Sequence, residues 1–115
     1  MNTEDFKAFI KAQIKAMPAE AYVLNRVVEA LKDNGTPVVA VWDGAEMVAV
    51  DGIKSIREQV FNLDESWLYT EGESWVRLTM GNEWDTLTDY TTDLEDALTP
   101  ATEKIEKRQA KAEGW

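Results

Sequence analysis

The chain changes its hydrophobic period at Val38, and that change constrains the fold more than any other feature. Before it, apolar residues recur every three or four positions; from Val38 to Val50 they form two short runs about Asp43-Gly44. Asp-Gly readily takes the positive φ angles of a two-residue hairpin turn. Pairing about that turn sets Val39 opposite Val48. It sorts Val39, Val41, Val48 and Val50 onto one face, and Val38, Ala40, Trp42, Met47 and Ala49 onto the other. Both faces are apolar, so the hairpin is expected to be central and covered on both sides.

Residues 1–35 read as a helical hairpin. Phe6, Ile10, Ile14 and Met17 have helical spacing, and Glu4 and Asp5 suit the helix start. Pro18 ends this helix and opens a second one with an apolar face of Val23, Leu24, Val27, Val28 and Leu31; Asn34-Gly35 and Pro37 end that helix in turn. Residues 38–90 read as an antiparallel sheet with an inserted short helix. Ser55 and Glu58 have capping-box spacing ahead of Val60 and Phe61. Ser66–Thr70 and Ser74–Met80 flank an acidic glycine turn. A Gly72-Glu73 loop would put Trp67, Tyr69, Val76 and Leu78 on one face and Leu68, Trp75 and Arg77 on the other. Residues 84–90 fit either a fifth strand or a helix. Thr92 and Glu95 suggest a capping box for a C-terminal helix over 92–112, kinked or restarted at Pro100. The expected fold is α+β: two N-terminal helices, a central antiparallel sheet of four to five strands with a short helix inserted, and a C-terminal helix, in one domain over residues 1–115.

The net charge of −10 is unevenly distributed. Residues 58–103 hold twelve acids and one base, Arg77, so that stretch carries −11 and the rest of the chain +1. Such a segment repels nucleic acid and anionic lipid and attracts a basic surface. The chain has no Cys and no His, which removes thiolate nucleophiles, zinc fingers and the commonest general base. No apolar run is long enough for a membrane helix, and Met1–Lys7 carries acids where a signal peptide carries bases. A cytoplasmic protein without cofactor, membrane contact, direct nucleic-acid contact or enzymatic activity is expected.

If Asp85–Asp96 is helical, Asp85, Asp89, Asp93 and Asp96 share one side, just after Glu83. Like charges so spaced repel by a few tenths of a kcal/mol. A stripe that costs stability suggests a mimic of the phosphate backbone, offered to a basic groove of a nucleic-acid-handling protein. The plainer reading is a solvated face. No metal-loop pattern such as Asp-x-Asp-x-Asp-Gly occurs. Of the five tryptophans, most are expected in the core, with Trp75 the candidate for a partner-binding anchor because it shares a mixed face with Arg77. Arg77 itself reads as an ion pair or cation–π contact among acids, and Lys104, Lys107, Arg108 and Lys111 as complements to the end of their own helix.

Val41-Trp42-Asp43-Gly44, the strand Trp75–Met80, then Gly81-Asn82 followed by Thr88-Asp89-Tyr90 and a short acidic helix, resemble a pattern in small proteins encoded by bacteriophages. There a hydrophobic strand leads into Gly-Asn, an Ile-Ser-Asp-aromatic stretch and a helix. Leu87-Thr88 departs from Ile-Ser here. The resemblance covers residues 38–100 and implies a phage accessory protein, with no activity attached. The leading expectation is therefore an acidic inhibitor that binds the basic surface of a host protein through Glu83, Asp85, Asp89, Asp93, Asp96 and Trp75. The alternatives are an assembly factor that forms homodimers through an aromatic face, and a small carboxylate-dependent enzyme.

Overall fold

The computed structural model describes residues 2–114, and its element order follows the change of period at Val38. Among these residues helix α1 spans Thr3–Ala16 and α2 Pro18–Asp33; strands β1 (Val38–Trp42) and β2 (Met47–Ala49) follow. Helix α3 (Gly52–Val60), strands β3 (Glu65–Thr70), β4 (Trp75–Thr79) and β5 (Leu87–Tyr90), and helix α4 (Glu95–Ala112) complete the order. The fold is α+β, with N-terminal helices, a five-stranded antiparallel sheet and a C-terminal helix, as the sequence patterns predict.

Local chemistry sets the helix ends. The Asn2 side chain caps α1 by accepting the Asp5 N–H at 2.8 Å. Pro18 opens α2, where its missing N–H costs nothing. At the other end of α2, Gly35 takes φ +82° and the Thr36 N–H reaches back to the Leu31 carbonyl at 2.9 Å, a reverse turn that satisfies the helix's last carbonyls.

Two expected capping boxes do not form. Helix α3 starts at Gly52, and Ser55 instead accepts the Asp51 N–H at 2.7 Å while donating to the Gly52 carbonyl. Ahead of α4 the chain makes a short 3₁₀ turn at Thr92–Leu94, and the helix then runs through Pro100 without restarting. Residues 83–85 form a 3₁₀ turn and Leu87–Tyr90 a strand, which resolves the ambiguity over 84–90.

The strand order is β2-β1-β3-β4-β5. The first hairpin is therefore at the sheet edge, not its centre. Its register pairs Val41 with Val48, and the Val50 N–H bonds the Val39 carbonyl, so Val39 does not face Val48. The cause is Asp43, whose Oδ1 accepts the N–H groups of Ala45 and Glu46 at 2.7 Å each. That Asx turn moves the tip one residue along, and the partner of every strand residue by two. A two-residue slip keeps residues 40–42 and Met47–Ala49 on their expected faces. A bulge in the β1–β3 pairing between Val38 and Ala40, however, turns Val38 into the core, off the face of Ala40 and Trp42 where strict alternation places it.

The second hairpin corrects the sequence expectation more deeply. Its loop is Glu71-Gly72-Glu73, closed by the Thr70 N–H on the Ser74 carbonyl at 3.0 Å, with Gly72 at φ +93°. Three loop residues in place of two shift the register by one. The pairs become Trp67 with Arg77, Leu68 with Val76 and Tyr69 with Trp75. A one-residue slip exchanges faces. Leu68, Val76 and Leu78 are fully buried, whereas Trp67, Tyr69, Trp75 and Arg77 share the opposite face.

The core is one cluster drawn from all four helices and the inward strand residues, including Leu24, Leu31, Val41, Ile56, Leu68, Leu78 and Leu98. The outward aromatics Trp42, Trp67, Tyr69 and Trp75 are not part of it. The shortest dimension is 21 Å, against 41 and 38 Å for the others, which matches one layer of helices on one sheet at about 10 Å per layer. Among the described residues, no helix is long and apolar enough to cross a membrane.

Candidate functional site

The face of the sheet away from the helices is the most unusual surface of the molecule. Cross-strand pairing places Trp42 of β1 opposite Met47 of β2 and Trp67 of β3, Trp67 opposite Arg77 of β4, and Arg77 opposite Asp89 of β5. One rank of side chains thus crosses the whole sheet. Tyr69, level with Ala40 and Trp75, forms the next rank. The indoles of Trp42 and Trp67 lie 4.8 Å apart at 51°, and each covers part of the other. Met47 is 52% exposed, the most exposed large apolar side chain among the described residues.

Arg77 organises the middle of this face. Its Nη2 donates to Glu65 Oε2 at 2.7 Å, and its guanidinium carbon sits 5.9 Å from the Trp67 ring centre. Both partners are about one-third exposed, so the ion pair is worth at most about 1 kcal/mol. Its larger effect is to hold a cation against an indole and flatten the surface. The Arg77 Nε is covered and has no hydrogen-bond partner among the described residues.

Trp75, the one aromatic anchor singled out from sequence, is on this face. Its backbone N–H donates to Thr91 Oγ1 at 3.2 Å, which ties β4 to the segment after β5. Trp42, Trp67 and Tyr69 belong beside it and were missed, because the expected register sent Trp67 and Tyr69 to the face of Val76 and Leu78. A signal was present: the aliphatic residues Leu68, Val76 and Leu78 separate from the aromatic ones only in the observed register.

The acidic candidates scatter. Glu83 sits in the 3₁₀ turn at φ 53°, the one left-handed residue other than glycine among those described, and Asp85 ends that turn. Asp89 is in β5 across from Arg77 and accepts the Tyr90 N–H at 2.8 Å. Asp93 is in the second 3₁₀ turn, where the Ser74 hydroxyl donates to it. That bond, helped by Thr91, holds the Asp93 carboxyl below its ordinary pKa. Asp96, in the first turn of α4, lines a small cleft with Arg26, Glu29 and Lys104. Strand β5 thus separates residues that a continuous helix would align, and no single stripe results. Among the described residues no three acids converge in a way that would hold a metal ion.

Near Asp96, Glu29 bonds Lys104 at 3.0 Å and meets Arg26 at 3.4 Å. The Lys104 bond first, and the charge of Arg26 second, keep the Glu29 carboxyl below its usual range. The basic C-terminal segment therefore reaches α2 as well as its own helix end.

No protein-family model matches the chain, and no curated protein or solved structure matches it.

Proposed function

We propose that the chain is a binding module whose working surface is the open sheet face around Trp42, Trp67, Tyr69 and Trp75, and that its partner is a protein with a basic rim. The carrying observation is that four aromatic side chains stand on a face that no helix covers. Water-facing sheet faces ordinarily carry polar residues. Tryptophan and tyrosine are the residues that dominate binding when a partner excludes water from them. The four rings are half-buried against one another and their neighbours, with Met47 the exposed apolar side chain beside them. Strand spacing and rise make the face they span about 300 Å², less than half of one partner's share of a standard interface.

Charge supports the choice of partner. Glu46 lies in the loop at one end of the sheet, Glu71 and Glu73 in the loop at the other, and Glu65 and Asp89 flank Arg77 between them. A basic rim complements this ring, and nucleic acid is repelled by it. A second copy would set two such rings against each other. The homodimer remains the second reading, favoured by the nearly neutral Arg77–Glu65 centre. The resemblance to phage proteins alone suggests that the partner belongs to a host cell; inhibition would then follow from occluding the partner's basic surface.

The test compares the chain with two sets of variants. Trp67→Thr and Trp75→Thr remove the aromatic surface; Asp89→Asn, Asp93→Asn and Asp96→Asn together remove acids. Capture of a partner from lysate, confirmed with the purified protein, is expected to weaken at least about tenfold in the tryptophan variants, some 1.4 kcal/mol. The triple variant is expected to retain most of its affinity at high salt. Full binding by folded tryptophan variants would refute the reading. Sedimentation velocity tests the homodimer, for which a Trp67-dependent dimer is the expected signature.

A further inference from the structure

A second surface lies on the helical side, where the α1–α2 corner meets the turn between β4 and β5. It is a cleft of about 600 Å³ lined by Pro18, Glu20, Tyr22, Glu83, Trp84 and Arg108, among others. None of these residues belongs to the aromatic sheet face. Glu20 is only 4% exposed and makes no ion pair with any described residue. Its carboxylate oxygens are not among the fully covered atoms, so the head of the side chain keeps access to the cleft that it lines. Carboxylates are almost never so covered without a partner.

The fold explains how Glu20 comes to be there. Pro18 starts α2, which puts Glu20 in the first turn, where the helix dipole favours a negative charge. The 3₁₀ turn at Glu83–Asp85 then packs Trp84 edge-on to Tyr22, at 6.0 Å and 70°. Guanidinium groups already lie near the Tyr22 ring, Arg26 at 5.2 Å and Arg108 at 5.9 Å, but neither pairs with Glu20. The cleft thus brings into one lining a largely covered carboxylate without an ion pair, an indole, and a second carboxylate, Glu83.

We propose that this cleft binds an alkylammonium or guanidinium group, held by the Glu20 carboxylate and the Trp84 ring. Such a group supplies N–H donors to the Glu20 carboxylate, and its charge is attracted to the indole face. Two acids against Arg108 leave the lining net negative. The group can come from a basic side chain of a protein partner or from a free amine, and the two share this chemistry.

The test follows the indole N–H signals by NMR, with the Trp84 signal assigned from Trp84→Phe. Butylammonium, agmatine and an acetylated, amidated lysyl peptide are titrated at constant ionic strength. A saturable shift of the Trp84 signal is expected, with at least tenfold weaker binding in Glu20→Gln and several-fold weaker binding in Glu83→Gln. Glu103→Gln, on the exposed side of α4, is expected to bind as the unaltered chain does. Tighter binding of the peptide than of the free amines assigns the site to a protein side chain, and the reverse assigns it to a small amine. A shift that only grows linearly, or equal affinity in folded Glu20→Gln, overturns the proposal. If Glu20→Gln does not fold, an unmoved Trp84 signal in the unaltered chain, or equal affinity in Glu83→Gln, overturns it.

Discussion

Ser66 is fully buried on the inward face of β3, and its hydroxyl has no hydrogen-bond partner among the described residues. A buried donor left unpaired loses its hydration without recompense. Replacing it by Ala should therefore leave stability unchanged or raise it by about 1 kcal/mol. Leu68, two residues on and fully buried, should behave oppositely, with Leu68→Ala costing about 2–5 kcal/mol. Urea unfolding of the two variants separates them. Asp93 offers a pH test at the same scale. The Ser74 hydroxyl, with Thr91 behind it, depresses the folded pKa of Asp93 below the ordinary 3.8. Its contribution to stability is therefore present above pH 3.8 and fades as pH falls through the lower, folded value. Ser74→Ala should move the Asp93 titration back up toward 3.8, as read from its carboxyl carbon by NMR. An unchanged titration in that variant would show that the hydroxyl is not the cause.

Turns, more than strands, decide which residues this sheet exposes. Gly72 adopts φ +93°, and no atom lies within 4 Å of where a Cβ would stand, so the obstacle to a side chain there is backbone strain alone. Gly72→Ala should cost about 1–2 kcal/mol in thermal or urea unfolding, since a left-handed conformation is disfavoured by that much. No loss at all would mean that the loop has adopted another form, and with it another register. The same loop marks where sequence reading stopped working. Helix boundaries at Pro18 and Asn34-Gly35 were legible because each depends on residues a few positions apart. Strand positions were legible for the same reason. The pairing between strands was not, because Glu71-Gly72-Glu73 admits loops of two or three residues with little local difference, and one residue decides whether Trp67 and Tyr69 face helices or water. At Asp43 the side chain chose the turn, and the slip of two left the faces of residues 40–42 and Met47–Ala49 intact. The bulge between Val38 and Ala40, which moves Val38 to the core, has no local signal in the alternation. The acidic candidates failed to align for a related reason. Their spacing fits a helix, yet Leu87–Tyr90 extends the sheet by pairing with β4, and β pairing is a long-range term that local spacing does not contain.

At the scale of the whole molecule, the helices bury one side of the sheet and leave the other open, the side proposed above for a partner. The consequence is a division between stability and binding. Outward residues can change while the core stays intact: Trp42→Thr should cost about 2 kcal/mol, roughly 1 for its ring contact with Trp67 and about as much for the covered part of its half-buried surface, at the low end of a core truncation. If the proposed partner binds there, the net charge of −10 and the acids at both ends of the open face should make association fast and salt-sensitive, while the aromatic centre should set how long the complex lasts. The most direct measurement places a photo-cross-linking residue at Met47, exposed beside Trp42, and in a second protein at Glu103 on α4. Both are irradiated with the captured partner. A cross-link from position 47 but not from 103, lost when Trp67→Thr is added, is the expected result. A cross-link from position 103 alone, or one from position 47 that survives Trp67→Thr undiminished, would contradict the assignment of the open sheet face as the working surface.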